Sequence, residues 1–443
     1  MAEALINKLG VPLSDTVKIR VGAKMLTTRL KIRNHHLKTY MLSPQLAKAL
    51  LLRRRKPMQI RYDIENEMIH IGPTIGILSN YLPSRATYNP KSLQAELIFL
   101  SNLSRSLPGQ TYFFTPSSIN WANKTVRGSV YHQISPDKGS WVSAVYTLPD
   151  VVYDRIGSRK IEAQAKIRHV KRNLMNFPYL KYFNPAFLNK WSVHQNLITN
   201  EMLMPYLPET HLLNRSNLEE MAARHKTLFL KPCNGSQGGG IIKVNVGENG
   251  KLRYTINIKG RYSGTADNPA EFMKKTHAAR RRRPYIIQQG INLSFFQKST
   301  FDIRIIFQKN HHGNWKITKQ FVRLAPPGSS IANISRGGKV ETSKRVLAIL
   351  FKNNRKIIHA KNHELSELCE LVAETLESSS QKLYGELGLD VGIDKGGKFW
   401  LIEVNSKPRK TTETVHSQGI VRNTFRRPLQ YAIYLAGFKN RPK

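Results

Sequence analysis

Three side chains near the end of this sequence carry oxygen donors at a spacing that suits a hard cation: Asp390, Glu403 and Asn405. Glu403 and Asn405 stand two apart in the run FWLIEVN, so in a strand they share one face. Asp390 sits at the end of the preceding strand-like run, and the turn IDKGGK folds one run back on the other as a hairpin. The three oxygen ligands then converge on one point. Mg²⁺ takes such a set, a few carboxylates completed by phosphate oxygens and water. The competing reading is a hairpin with solvated acidic residues. Glu403 follows the apolar run FWLI, where a carboxylate is costly unless paired or on a metal, and this favours the metal.

A second cluster lies in the run KPCNGSQGGG, from Lys231 to Gly240, between the apolar runs TLFLKP and IIKVNV. Gly235, Gly238, Gly239 and Gly240 lack Cβ atoms, so backbone N–H groups there can approach and surround phosphate oxygens. Lys231 adds a fixed positive charge at the strand end. This is not the P-loop pattern, which needs a Gly-Lys-Ser/Thr ending at a helix. Taken alone, the loop reads as an ordinary hairpin turn.

The elements that must position these residues follow from pattern. VKIRVGA, MLTTRLKIR and MQIRY alternate apolar and basic residues as half-buried strands do. LSPQLAKALLLRRRK reads as one helix, with Ser43 as N-cap and Pro44 at the first position. Its end would carry Arg53, Arg54, Arg55 and Lys56, where cations suit the dipole. MIHIGPTIGILSN resembles the first strand and loop of an open α/β unit. KSLQAELIFLSNLSRSL reads as a helix, TYFFTP as a strand, and VRGSVYHQI and SWVSAVYTL as strands around a Pro-Asp-Lys-Gly turn. PDVVYDRI is a further strand and AQAKIRHVKRNLMN a helix. Such alternation argues for a sheet with helices packed on it. FNPAFLNKWSVHQNLI predicts a helix with Asn184 as N-cap and Pro185 at its first position. YIIQQGINL reads as a strand, and FDIRIIFQK and WKITKQFVRLA as antiparallel neighbours. NHELSELCELVAETLESSSQKLYGEL has apolar residues at the spacing of a long helix.

The composition of the 443 residues is that of a globular chain of two or three domains, 40% hydrophobic and 22% charged. The 70 Lys and Arg against 29 Asp and Glu, a net charge of +41, are the outlier. Such a field attracts polyanions: nucleic acid, anionic cell-wall polymer or acidic protein surfaces. The bland account is a habit of placing Lys and Arg on solvated faces. Two cysteines, Cys233 and Cys369, allow one disulfide at most and form no C-x-x-C pair for zinc. The start MAEALINKLG lacks a secretory pattern, and no run approaches the roughly 18 apolar residues of a membrane helix, so the expected compartment is the cytoplasm.

Together the motifs resemble the ATP-grasp superfamily, in its characteristic order over roughly residues 183–430. Lys190 lies in a helix after the first domain. LPET (Leu207 to Thr210) precedes a small lid subdomain, and Lys231 with its glycine loop forms the lid. QQGI (Gln288 to Ile291) matches the hinge beside the adenine, and DIR (Asp302 to Arg304) opens the large subdomain. LDVGID and EVNSKP supply magnesium ligands at a spacing similar to that of D-alanine–D-alanine ligases. Across nearly the whole chain, GPTIGIL, PDVVYDRI, FNPAFLNKW, YLPET, KPCNGSQGGGI and IANISRGG look like the YheC/YheD-type endospore coat-associated family.

The resemblance implies a mixed α/β chain with an ATP-grasp fold. It has a small basic β-rich segment over 1–70, a pre-ATP-grasp α/β domain over 71–182 and the ATP-grasp domain over 183–443, with a lid at about 225–295. It implies ATP and Mg²⁺ as cofactors, the metal on Asp390, Glu403 and Asn405. Lys190 and Lys231 would contact phosphates, with Gly235, Ser236, Gln237, Gly238, Gly239 and Gly240 folded over them. Gln288, Gln289 and Ile291 would lie along the adenine. Arg304, Arg323 and Arg336 are candidates for stabilising the transferring phosphoryl group, against a competing reading as surface residues of a very basic protein. The Asn333–Gly338 loop would shape the substrate side, or serve as a plain turn.

Three functions compete. The first is an ATP-dependent carboxylate–amine ligase working through an acyl-phosphate on a carboxylate and an amine that the sequence does not name. The second is a structural endospore-coat protein that binds ATP without ligation, with other coat proteins as partners. The third is a polyanion-binding protein led by clusters such as Arg53 to Lys56 and Arg280 to Arg283. No nucleic-acid-binding signature supports the third.

Overall fold

Among the described residues, apolar residues in strands build four β-sheets, with helices packed against their apolar faces. The computed structural model describes the chain apart from residues 35–38, 54–57, 84, 88, 91, 136–137, 236–237, 259, 282, 327–337, 413–416 and 440–443. Ser236, Gln237, Arg336 and most of the Asn333–Gly338 loop therefore lie outside the described residues.

The first sheet runs in the order Lys24–Arg29, Thr16–Val21, Met68–Gly72, Gln59–Asp63. Its core of Val17, Ile19, Val21, Ile69 and Ile71 is covered by Ile6 and Leu50. Ile6 belongs to a helix, Glu3–Leu9, in a stretch read from sequence as strands and turns. The helix capped by Ser43 is shorter than its pattern: it spans Pro44–Ala49, and Leu51 at φ 55° turns the chain away. Arg53 thus lies beyond the helix, and Lys48 is the basic residue of its last turn.

MIHIGPTIGIL, expected to be a strand and the loop after it, is two strands. Met68–Gly72 ends the first sheet, and after a cis Gly72–Pro73 bond Thr74–Leu78 enters the second. There Thr74–Leu78, Gln110–Phe114, Val151–Asp154 and Lys181–Phe183 are parallel, and the Thr125–Ser135 and Lys138–Thr147 hairpin extends them. Parallel strands covered on both faces are apolar throughout. Leu93–Ser104 and Gln418–Leu435 pack on one face, Ala165–Met175 on the other.

The third sheet is antiparallel, in the order Thr210–Leu212, Tyr285–Gln289, Thr227–Pro232, Ile242–Val246, Leu252–Ile258, Gly260–Ala266. Leu228, Leu230 and Ile287 point into a core closed by Leu218, Met221 and Phe272 of two helices. Lys231 and Gln288 consequently project from the other face.

The fourth sheet joins Lys339–Glu341, Trp315–Leu324, Ser299–Lys309, Glu386–Ile393 and Phe399–Asn405, all antiparallel. Phe301, Ile303, Ile305, Phe307, Leu387, Leu389 and Val391 meet Leu365, Leu368, Val372 and Leu376 of the helix Arg355–Ser380. Cys233 and Cys369 are buried and free.

Candidate functional site

On the fourth sheet's other face, register sets polar residues in a row. Asp302 lies opposite Arg323, Arg304 opposite Asp390, Asp390 opposite Glu403, and Gly388 opposite Asn405. Directly opposite residues of an antiparallel pair share a face. One irregularity makes the row possible. Leu401 pairs with Val391, yet Glu403 pairs with Asp390, so Ile402 is an extra residue in its strand. The bulge lets Leu401 point into the core while Glu403, two residues on, points out of it. Asp390 is therefore mid-strand, in contrast to its expected place at a strand end.

Both Asp390 oxygens are engaged. Oδ1 accepts from Arg304 Nη1, and Oδ2 pairs with Arg323 Nη2 at 2.7 Å. Arg323 also grips Asp302 bidentately, Nε to Oδ1 at 2.7 Å and Nη2 to Oδ2 at 2.8 Å. Burial opposes ionisation of Asp390, but Arg304 and Arg323 overcome it and hold its carboxyl down at about 2. Burial, reinforced by the Asp390 charge, pushes Asp302 up to about 7 although Arg323 favours its charged form. Asp302 was not singled out from sequence as a site residue, yet standing two before Arg304 on one strand carried that signal.

Glu403 Oε1 accepts from Lys190 Nζ at 2.6 Å, and Lys190 Nζ lies 3.4 Å from the Gly235 carbonyl. Lys190 opens the helix Lys190–Leu197, capped by Asn189, whose side chain accepts from the Trp191 and Ser192 amides. The expected cap, Asn184, has another task. At φ 54° it is buried, and its side chain bonds Gly385, Glu386 and Ser406 backbone groups. The helix therefore starts at Lys190, which sets that lysine at its mouth rather than within it.

From the third sheet, Lys231 Nζ donates to Gln288 Oε1 at 2.5 Å, and Gln288 Nε2 donates to Thr210 Oγ1 at 3.0 Å. Burial pushes the Lys231 ammonium down to about 8; Glu403 and Asp390 favour its charge and Lys190 opposes it. Gln289 Oε1 accepts from the Glu209 amide, and Ile291 is half-buried in the link to the fourth sheet. The glycine loop is tied at both ends. Gly235 N donates to Pro232 O at 3.0 Å, and Gly240 N to Asn257 O at 2.8 Å. Gly238 and Gly240 have φ of 67° and 77°, which requires glycine there, and Gly239 is exposed.

The structure thus gathers Lys190, Lys231, Gly235, Gln288, Arg304, Arg323, Asp390 and Glu403 between two sheets. It does not leave the three oxygen ligands free to converge. The Asp390 oxygens face arginines, and Asn405 Oδ1 accepts from the Lys407 amide at 3.0 Å. Among the described residues, no three His, Cys, Asp or Glu side chains form a metal-ligand group. The donor set of two carboxylates and one amide still fits Mg²⁺ in chemistry, with Glu403 Oε2 the oxygen without a hydrogen-bond partner among those residues.

A buried network missed from sequence holds the two ligand-bearing strands. Arg155 Nη1 and Lys410 Nζ meet Glu386 at 2.9 and 2.8 Å. Lys407 Nζ meets Asp154 at 2.7 Å and Glu162 at 2.8 Å. Burial opposes the Glu386 charge, but Lys410 and Arg155 keep its carboxyl below the usual range. Residues on both sides of Asp390 and Asn405 are thereby anchored to the second sheet.

No helix among the described residues is long and apolar enough to cross a membrane. A family profile described as YheC/D like ATP-grasp matches residues 179–435. The endospore coat-associated protein YheD of Bacillus subtilis (strain 168) is 30% identical over 422 residues, 94% of this chain and 90% of that one. YheC of the same organism is 27% identical over 298 residues, 67% of this chain and 79% of its own. The crystal structure of the D-cycloserine synthetase DcsG aligns with 82% of this chain and 99% of its own, at 10% identity and a TM-score of 0.48. The chain belongs to the YheC/D-like ATP-grasp family, and its mixed α/β architecture is the ATP-grasp fold.

Proposed function

We propose that this protein is a Mg-ATP-dependent carboxylate–amine ligase. The observation that carries the reading is the line of charges across the gap between the third and fourth sheets. Lys231 and Lys190 face Glu403 and Asp390, and Arg304 and Arg323 stand behind them. Four cations surround three carboxylates, counting Asp302, so the gap favours an added anion of the phosphate kind.

Asp390, Glu403 and Asn405 would hold Mg²⁺, which supplies charge neutralisation at the phosphates. Lys190 and Lys231 bind phosphate oxygens, and the loop from Gly235 to Gly240, with Ser236 and Gln237, closes over them. Gln288, Gln289 and Ile291 border the adenine. A substrate carboxylate oxygen attacks the γ-phosphorus as its bond to ADP breaks. An amine then attacks the acyl carbon, phosphate leaves, and the amine loses a proton to water. Arg304 and Arg323, with Arg336, stabilise charge on the moving phosphoryl group. No protein nucleophile is required; positioning and electrostatics carry the rate. The relatives' names extend the proposal to association with the endospore coat.

Calorimetric titration of a non-hydrolysable ATP analogue, with and without Mg²⁺, tests the site on wild type and Glu403→Ala. Mg-dependent binding that disappears in the variant supports it. Unchanged affinity in folded Glu403→Ala removes the metal assignment.

A further inference from the structure

Beyond the base of the lid strand lies a cleft of about 950 Å³ that the nucleotide reading does not use. It lies between the helices Arg159–Glu162 and Ala165–Met175 and the backbone at 185–187. Six cations line it: Lys171 is paired with Asp154 and Glu162, whereas Arg159, Lys160, Arg168, Arg172 and Arg283 have no ion-pair partner among the described residues. The carboxylate that lines it, Glu162, is already held by Lys171 at 2.7 Å and Lys407 at 2.8 Å. Arg168 and Arg172 stand one turn apart on one helix, a like-charge pair that costs stability unless an anion lies between them. Arg159 stacks on Phe187, 4.9 Å from its ring centre, and its buried Nε has no hydrogen-bond partner among the described residues.

The cleft adjoins the candidate site. Pro232 and Asn234 line it and flank Cys233, whose carbonyl accepts from the Lys190 amide at 2.9 Å. Asn234 Oδ1 accepts from Asn189, the residue that caps the Lys190 helix. Ala186, also in the lining, accepts from Ser406, next to Asn405. Burial lowers the Arg159 pKa, and the Glu403 charge acts against this, so the two groups feel each other across the boundary.

We propose that this cleft binds the carboxylate substrate, and that the substrate is an acidic peptide chain carrying several carboxylates. Its reacting carboxylate lies at the Arg159 and Glu403 end. Its remaining carboxylates lie over Lys160, Arg168, Arg172 and Arg283. Arg159 is half-buried and the other four cations are exposed at the cleft mouth, where the guanidinium forks of Arg168, Arg172 and Arg283 can each take a carboxylate bidentately. The assignment rests on the ligase reading, since that chemistry demands a carboxylate and excludes nucleic acid as the reacting chain.

The test uses the full chain and fluorescein-labelled hexaglutamate, read by fluorescence anisotropy. Wild type is compared with Arg168→Ser/Arg172→Ser and with Lys18→Ser/Arg29→Ser, a pair of exposed cations on the first sheet. Binding should weaken about tenfold in the cleft variant and stay within about twofold in the control. Equal losses in the two variants overturn the proposal, because net charge alone would then govern binding. Competition by inorganic tripolyphosphate stronger than that by unlabelled hexaglutamate also overturns it and makes the site one for phosphate. The same proteins are titrated with the ATP analogue. Nucleotide binding without hexaglutamate binding removes the cleft assignment alone. Hexaglutamate binding without nucleotide binding removes the ligase reading, and the substrate role with it.

Discussion

Nucleotide affinity should fall about tenfold between pH 7 and pH 9, because Lys231 loses its proton in that window. Burial holds its ammonium at about 8. The lysine is therefore about nine-tenths charged at pH 7 and about one-tenth charged at pH 9. A bound phosphate restores a close negative charge and favours the protonated form, so binding above pH 8 must include uptake of one proton. The sign is fixed: apparent affinity is full below the folded pKa and declines as pH rises through it. The assay is calorimetric titration of the analogue with saturating Mg²⁺ at pH 7 and 9, in two buffers of different ionisation heat to count protons. Lys231→Arg, charged at both values, should change less than about twofold. A flat wild-type profile, or a tenfold decline retained in folded Lys231→Arg, refutes the assignment of Lys231 to the phosphates.

Four further outcomes are expected. Lys231→Met, which needs no buried charge, should be more stable than wild type near pH 7; the gap should close by about 1.4 kcal/mol per pH unit above pH 8, and urea midpoints that move in parallel would contradict this. Mg²⁺ titrated without nucleotide should give no binding heat, because Arg304 and Arg323 already occupy both Asp390 oxygens; a saturable signal would argue against their competition. Deleting Ile402 should leave regular alternation, with Leu401 inward and Glu403 still outward opposite Asp390, so the variant should fold and keep Mg-dependent nucleotide binding; a variant that unfolds or loses that binding would mean that the extra residue is itself required. Glu386→Gln should cost about 3–5 kcal/mol at neutral pH by leaving Lys410 and Arg155 short of their partner. Its folded pKa is depressed, so this stability is present above the usual glutamate value and is lost as pH falls through the folded one; a deficit that stays constant down to pH 3 would contradict the linkage.

Much of this site was legible because strands alternate. FDIRIIFQK places Asp302 and Arg304 on one face, and FWLIEVN places Glu403 with Asn405. Alternation also sends Lys231 out of a core made by Leu228 and Leu230. Register was not legible. That Arg304, Asp390 and Glu403 form one row depends on three strands far apart in sequence and on a bulge at Ile402 that no residue type announces. Asn184 shows a second limit. Asn before Pro is a sound helix-start signal, but here the side chain satisfies backbone groups of strands some two hundred residues away. Tertiary demand displaced the helix start to Asn189. The helix after Ser43 ended early for a local reason, the left-handed Leu51, which carries no sequence signal at all.

The charge excess is likewise not a uniform coat. Carboxylates are scarce, and in the interior several are shared between two cations: Asp154 by Lys171 and Lys407, Glu386 by Arg155 and Lys410, Asp390 by Arg304 and Arg323. Sharing leaves cations in surplus wherever two sheets or a sheet and a helix meet. A structure that meets its buried charges by sharing is short of anions at its clefts, and two such clefts adjoin at Lys190. Nucleotide phosphates would supply the missing charge in one and substrate carboxylates in the other. If so, the two ligands should each lower the cost of the other's site through the Arg159–Glu403 boundary. The analogue should then tighten hexaglutamate binding, and hexaglutamate should tighten the analogue by the same factor. Unchanged affinities, or weakening in both titrations, would show that the two ligands do not favour each other across that boundary.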